Sequence, residues 1–200
     1  MTGLVLASGS ASRAALLTAA GVEFTVRPAD IDEAALMAAM ADAAAVADAA
    51  AVAQALADEK ARAVSAATGA ALVLGGDTVI QLDGEILSKC ADMDAARALL
   101  ERMAGRAHLL VSAAALARGG QVIWRHAGAV TLTMRAFSPA FLADYLAAEG
   151  PAILSSVGCY HYEGRGAQLF SAVEGDYFSV LGMPLLPLLA ALRDEGVIGS

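Results

Sequence analysis

Two hundred residues with 13 Lys and Arg against 21 Asp and Glu, a formal charge of −8, suffice for one substantial core. So acidic a chain excludes broad binding of a nucleic-acid polymer, which needs clustered cations. Hydrophobic residues make up 58%, much of it alanine, and no apolar run is long enough to cross a bilayer.

The opening Met1 to Ser8 carries no basic n-region and fits a strand better than a signal peptide. Leu4 to Ala7 reads as a short buried strand, and Ser8-Gly9-Ser10-Ala11-Ser12 follows as a small-residue loop. A helix is expected from Arg13 to Ala20, with Leu16 and Leu17 inward and Gly21 as its cap. A strand, a loop and a helix start make a good anion site, because first-turn N–H groups are free and the helix dipole is positive there. Ser8, Ser10 and Ser12 add hydroxyls and Arg13 a fixed charge; the plainer alternative is N-capping by Ser10 or Ser12 with Arg13 solvated.

Val22 to Arg27 alternates and reads as a second strand, closed by Pro28. Asp30-Ile31-Asp32-Glu33 then places three carboxylates in four residues, either as a capped helix start or as part of a divalent-cation site. Residues 34–67, rich in alanine, predict one long helix or two in tandem. Lys60 lies near its end, where such a lysine is ordinarily a solvated helix-pair partner.

Gly69 ends the helix. Leu72-Val73-Leu74-Gly75-Gly76-Asp77 then runs as a buried strand whose glycines allow close approach of a ligand. Asp77 stands at the strand's carboxyl end, where open α/β sheets place ligands; otherwise it is a turn aspartate. Val79 to Leu82 continues extended, Asp83-Gly84 signals a hairpin, and Glu85 to Leu87 returns toward Ser88-Lys89. A helix is expected from Asp92 to Met103, stopped by Gly105.

His108 to Ala117 reads as a long apolar strand, Gly119-Gly120 as a turn, and Gln121–Arg125 and Ala129–Arg135 as two further strands. His108 and His126 are read as structural or surface groups. Ser138 caps a helix from Pro139 to Ala148. Ser155 to Ala167 is a glycine-punctuated loop able to wrap a ligand, with Tyr160 and Tyr162 as stacking faces and Glu163 as an acceptor for a base edge. Gln168 to Val173 predicts a strand, Glu174-Gly175-Asp176 a turn, and Gly182-Met183-Pro184 the opening of a last amphipathic helix. Cys90 and Cys159 show no metal-ligand spacing, so a cytoplasmic chain with two ordinary thiols is expected. There is no repeat and no linker, and 1–200 reads as one domain.

A Ser/Arg loop, an acidic cluster, two lysines, a strand-end aspartate and a glycine-rich loop together suit a polyphosphate ligand with a metal. The arrangement resembles the Maf family of nucleoside triphosphate pyrophosphatases over nearly the whole chain. It does so in Leu6-Ala7-Ser8-Gly9-Ser10-Ala11-Ser12-Arg13, Asp30-Ile31-Asp32-Glu33, Lys60-Ala61, Gly76-Asp77-Thr78-Val79, Leu82-Asp83-Gly84-Glu85, Lys89, Glu174-Gly175-Asp176 and Gly182-Met183-Pro184.

The resemblance implies an elongated mixed β-sheet flanked by helices, with two lobes around a cleft. It implies hydrolysis of a nucleoside triphosphate to the monophosphate and pyrophosphate, with Asp77 as proton acceptor for the attacking water. Ser8, Ser10, Arg13, Lys60 and Lys89 would bind the phosphates. Glu33 and Asp77 would hold a divalent cation (Mg²⁺, Mn²⁺ or Co²⁺), and the chain would form a homodimer. Ser12, Thr78 and Glu163 fall at positions associated with base choice. Family members often have arginine and glutamine where Ser12 and Glu163 stand. Glu163 is closer to the branch acting on 7-methyl-GTP, whereas that branch usually has glutamine in place of Thr78. Competing readings are a non-catalytic nucleotide-binding regulator of cell division, an alanine-rich structural protein, and a phosphatase releasing orthophosphate.

Overall fold

The computed structural model describes residues 3–43 and 48–199. The sheet is set from β3, Leu72–Leu82, whose apolar run is buried on both faces. β1 (Leu4–Leu6) pairs parallel to β3 along Leu72 to Leu74, and β2 (Phe24–Val26) pairs parallel to β1. On the other edge β5 (Ala107–Arg118) runs antiparallel to β3 from Val73 to Gln81. β6 (Gln121–Met134) and β7 (Phe170–Glu174) continue the antiparallel ladder. β4 (Glu85–Leu87) folds back at Asp83-Gly84 onto Ile80 to Leu82. The result is a mixed seven-stranded sheet flanked by helices, in the order β2-β1-β3-β5-β6-β7 with β4 on β3.

One consequence of this register positions everything else. β1 leaves β3 after Leu74 and β4 joins at Ile80, so among the described residues no strand pairs with Gly75 to Val79 on that edge. A notch is cut into the sheet there with Asp77 at its centre, so Asp77, expected at the carboxyl end of a strand, lies in mid-strand, because pairing with β5 carries β3 on to Leu82. Side chains alternate across a strand, so Asp77 and Thr78 point to opposite faces at the same notch.

On Asp77's face lies α3 (Ala49–Thr68), capped by Asp48, whose side chain accepts from the Ala50 N–H. Ala53, Leu56, Ala57 and Ala61 pack on Val79, Val111, Ala113 and Ala115. Alanine supplies helix propensity and lets the helix sit low on the sheet. Gly75 takes this furthest: a Cβ there would lie 2.1 Å from the Ala57 carbonyl oxygen.

The opposite face carries two separate cores. Leu72, Leu74 and Leu116 pack with Leu16 and Leu17 of α1 (Ala11–Ala19) and with Leu188 and Leu192 of α6 (Leu185–Asp194). Ile80, Leu82 and Leu110 pack with Leu100 and Met103 of α4 (Met93–Met103) and with Leu142 and Tyr145 of α5 (Pro139–Glu149). Thr78 and its register partner Ser112 lie between the two.

Several expectations change. The second strand shrinks from 22–27 to Phe24–Val26, because its partner β1 offers only three residues. α1 starts at Ala11 with Ser10 as N-cap, which decides between the two serines; its C-cap is Ala20, with Gly21 following at φ 70°. The alanine-rich stretch forms two helices, α2 (Glu33–Ala43) and α3, and 44–47 lie outside the described residues. The two strands expected at 121–125 and 129–135 are one continuous β6. Gly128 does not break it, because it pairs with Ser112 and clears room for Ser179, whose Oγ would lie 2.4 Å from a Cβ there. The strand expected from Gln168 starts at Phe170, after a 3₁₀ turn over Arg165–Leu169. Cys90 packs against the core that holds Cys159, and burial, with Cys90's hydrogen bond and proximity, pushes the Cys159 thiol up to about 12. Among the described residues no helix is long and apolar enough to cross a membrane.

Candidate active site

The notch opens into a cleft of about 1010 Å³. Ser8, Ser10, Ser12 and Arg13 line it from β1 and α1, Glu33 from α2, Lys60 from α3, Asp77 and Thr78 from β3, Lys89 from beyond β4, and Tyr160 to Glu163 from the late loop. The fold thus brings the residues expected at the site to one cavity.

Lys60 is buried, and its ammonium lies 2.5 Å from Asp77 Oδ1 and 2.8 Å from Glu33 Oε1. α3 delivers it from directly above the strand, so it is not a solvated helix partner. Asp32 provides the cap of α2, accepting from the Ala35 N–H at 2.9 Å, which frees Glu33 to reach inward. Asp77 is buried as well, while the Glu33 side chain is 51% exposed, so one carboxylate is fixed and the other stands at the rim.

Arg13 does not lie in solvent. It is buried, with Nε donating to the Gly182 carbonyl at 2.9 Å, one terminal nitrogen to Ser8 Oγ at 3.0 Å and the other to Thr78 Oγ1 at 2.9 Å. One N–H remains on each terminal nitrogen for a ligand. Burial lowers its pKa, and the Asp77 and Glu33 charges work against that; a guanidinium stays cationic. Gly76 makes its position possible, since a Cβ there would fall 3.1 Å from Arg13 Nε. Lys89 is exposed at the cleft wall, and among the described residues it has no ion-pair partner.

A polar strip crosses the gap between the two cores. From Arg13 it runs to Thr78, whose Oγ1 is 3.0 Å from Ser112 Oγ. Ser112 Oγ donates to the Ser179 carbonyl at 2.7 Å, and Ser179 N–H and Oγ both donate to Asp176 Oδ2. Ser112, Ser179 and the Gly182 carbonyl were not among the expected site residues. Ser112 carried a signal: it is a lone hydroxyl inside the apolar run from Leu109 to Leu116, and such a group needs a partner.

In the late loop Tyr160 and Tyr162 both pack on Phe170, with centroids 4.9 and 5.7 Å away, and Tyr160 hydroxyl lies 2.9 Å from His108 Nε2. His108 is therefore a buried structural group, and His126 stacks on Trp124. Glu163 is exposed at the cleft.

A family model described as Maf-like protein matches residues 3–195. The chain belongs to the Maf family. Three curated Maf relatives are similar along their whole lengths. A protein of Maricaulis maris named nucleoside triphosphate pyrophosphatase is 48% identical, covering 99% of each chain. Proteins of Mesorhizobium japonicum and Brucella suis, each named 7-methyl-GTP pyrophosphatase, are 48% and 47% identical over 98% of this chain and 97% of theirs.

Among the described residues no three His, Cys, Asp or Glu side chains cluster as a metal cage. The Maf site instead offers two carboxylates, Glu33 and Asp77, on one ammonium. That donor set fits a hard cation arriving with phosphate oxygens and water, as Mg²⁺ is commonly bound.

Proposed function

We propose that this protein hydrolyses a nucleoside triphosphate to the monophosphate and pyrophosphate, with Asp77 as proton acceptor for the attacking water. What carries the reading is the position of Asp77: buried, at the centre of the notch, and paired with a lysine from the helix above. The activities for which the relatives are named support it. Phosphoryl chemistry needs neutralised charge and an aligned nucleophile more than covalent help.

Glu33 and Asp77 would hold the divalent cation, which when bound offsets charge on the phosphates. Lys60 and Lys89 face the phosphate chain, joined by Ser8, Ser10 and the two unengaged N–H groups of Arg13. Asp77 accepts the proton of the water it orients, and burial keeps competing solvent from it. Ser12, Thr78 and Glu163 act in base choice. Glu163 offers only acceptors, which suits guanine N–H donors and the cationic 7-methyl ring, so a preference for 7-methyl-GTP is part of the proposal. Two free thiols and a nucleotide substrate suit a cytoplasmic location. A homodimer, implied by the family resemblance, is checked by light scattering.

The test is a nucleotide panel with Mg²⁺, Mn²⁺ or Co²⁺ and identification of the product. Pyrophosphate release is expected, falling 10²- to 10⁴-fold or more in Asp77→Asn. Orthophosphate as first product would instead make the protein a phosphatase. Tight binding without turnover would favour the non-catalytic regulator. Strong preference for dTTP or UTP over guanine nucleotides would remove the role given to Glu163.

A further inference from the structure

We propose that Ser112 is a positioning residue that holds the Thr78 hydroxyl as a hydrogen-bond acceptor toward the cleft, so that the site takes a base presenting an N–H at that point. The inference rests on the pyrophosphatase reading and adds to it the polarity of one contact.

Hydrogen counting fixes the direction of each bond. A carbonyl can only accept, so the bond between Ser112 Oγ and the Ser179 carbonyl uses Ser112's single hydrogen. Ser112 Oγ can then only accept from Thr78, 3.0 Å away. Thr78's own hydrogen is thereby directed into the sheet, away from the cavity. Its oxygen also accepts from Arg13 at 2.9 Å. One lone pair is left, and Thr78 lines the cleft. What it presents to a ligand is an acceptor. A ring or exocyclic N–H of a base satisfies it; a base carbonyl or a phosphate oxygen does not.

The far end of the chain is built to stay put. Asp176 Oδ2 accepts from Ser179 N–H at 2.7 Å and from Ser179 Oγ at 2.8 Å, and Gly128 leaves the room Ser179 needs. The Ser179 carbonyl also accepts the Gly182 N–H at 3.1 Å, so removing the Ser112 hydroxyl leaves no unpaired carbonyl. Ser112→Ala therefore releases the Thr78 hydrogen to rotate toward the cleft with little other damage. On its own face Thr78 stands between Arg13, which it contacts at 2.9 Å, and the apolar cleft residues Ile80 and Leu110, so it lies where the cations assigned to the phosphates give way to a wall suited to the base.

The probes are two pairs of nucleotides that differ in one N–H: GTP with 1-methyl-GTP, and UTP with 3-methyl-UTP. In the wild type, methylation is expected to lower kcat/KM by about 10-fold or more for the pair the enzyme turns over. In Ser112→Ala that gap narrows to within about threefold, through a higher KM for the N–H-bearing nucleotide. Thr78→Val narrows it in the same way, and adding Ser112→Ala to Thr78→Val changes nothing further.

A wild-type gap in Ser112→Ala overturns the proposal, as does an equal loss on both nucleotides of a pair. Should Ser112→Ala fail to fold by circular dichroism, Thr78→Val alone decides: a full gap there also overturns it. A wild type that turns over no nucleotide defeats the pyrophosphatase reading instead. The polarity of Thr78 is then read from the affinities of the same pairs by calorimetry, with equal affinities overturning it.

Discussion

Lys60 holds two carboxylates with one ammonium, and the two are not alike. Asp77 is buried with it, while Glu33 stands half in water. Removing the lysine leaves a buried carboxylate without a partner, whereas removing Asp77 leaves the lysine still paired to Glu33. Lys60→Met is therefore expected to cost about 3 kcal/mol and Asp77→Asn about 1 kcal/mol or less, both measured by urea denaturation. Equal costs would show that the pairing is not arranged in this way. Pyrophosphate release should be lost in both variants, so stability and activity separate at this pair.

Also at the level of single residues, His108 has its pKa lowered from 6.5 to about 4 by burial, and its Nδ1 has no hydrogen-bond partner among the described residues. The unfolded chain takes up a proton near pH 6.5 and the folded chain only near 4. In that window the unfolded state binds more protons, so stability is full above 6.5 and falls as the pH drops toward 4. The loss at pH 4.5 is about 2 kcal/mol. Comparison of urea unfolding at pH 7 and 4.5 should show that loss in the wild type and not in His108→Phe.

Among the elements, α3 and β3 set the site's dimensions together. A Cβ on Gly75 would meet the Ala57 carbonyl at 2.1 Å and the Ala61 nitrogen at 2.7 Å, so Gly75→Ala must lift the helix that carries Lys60. A cost of about 3 kcal/mol is expected, with a drop in pyrophosphate release. Gly84→Ala, in the open hairpin turn at φ 84°, should cost only about 1 kcal/mol and leave turnover near wild type. Thermal unfolding of the two variants compares them directly.

What the sequence disclosed at this level depended on range. Asp77 could be picked out because a buried apolar run ends on two glycines directly before it, a local pattern. The hairpin at Asp83-Gly84 and the cap at Ser138 were legible for the same reason. Lys60 above Asp77 was less so, since the distance between helix and strand depends on how closely alanine and Gly75 let them approach. The bond from Arg13 to Gly182 spans 169 positions and that from Ser112 to Ser179 spans 67, and no short-range pattern encodes either. The gap expected at 126–128 closes because Gly128 serves packing against Ser179, and in sequence a missing Cβ in that role looks like one that serves a turn.

For the molecule as a whole, the site draws on α1, α2, α3, β3 and the segment after β4, and both cores of one sheet face border it. No single part contains a working remnant. Loss of pyrophosphate release in urea is accordingly expected to coincide with loss of the circular dichroism signal; activity vanishing well before the fold would point to a separately opening part.

Asp77 and its neighbour Thr78 stand back to back, so a molecule touching both must straddle the rim of the ribbon. Adding or deleting one amino acid between Leu74 and Asp77 would exchange their sides, turning the acid toward the face of Ser112 and Arg13 and the hydroxyl toward the helix with Lys60. Length in this stretch is thus as strictly constrained as residue identity. Evolution can reshape the pocket by substitution, but not by a single-residue gain or loss here.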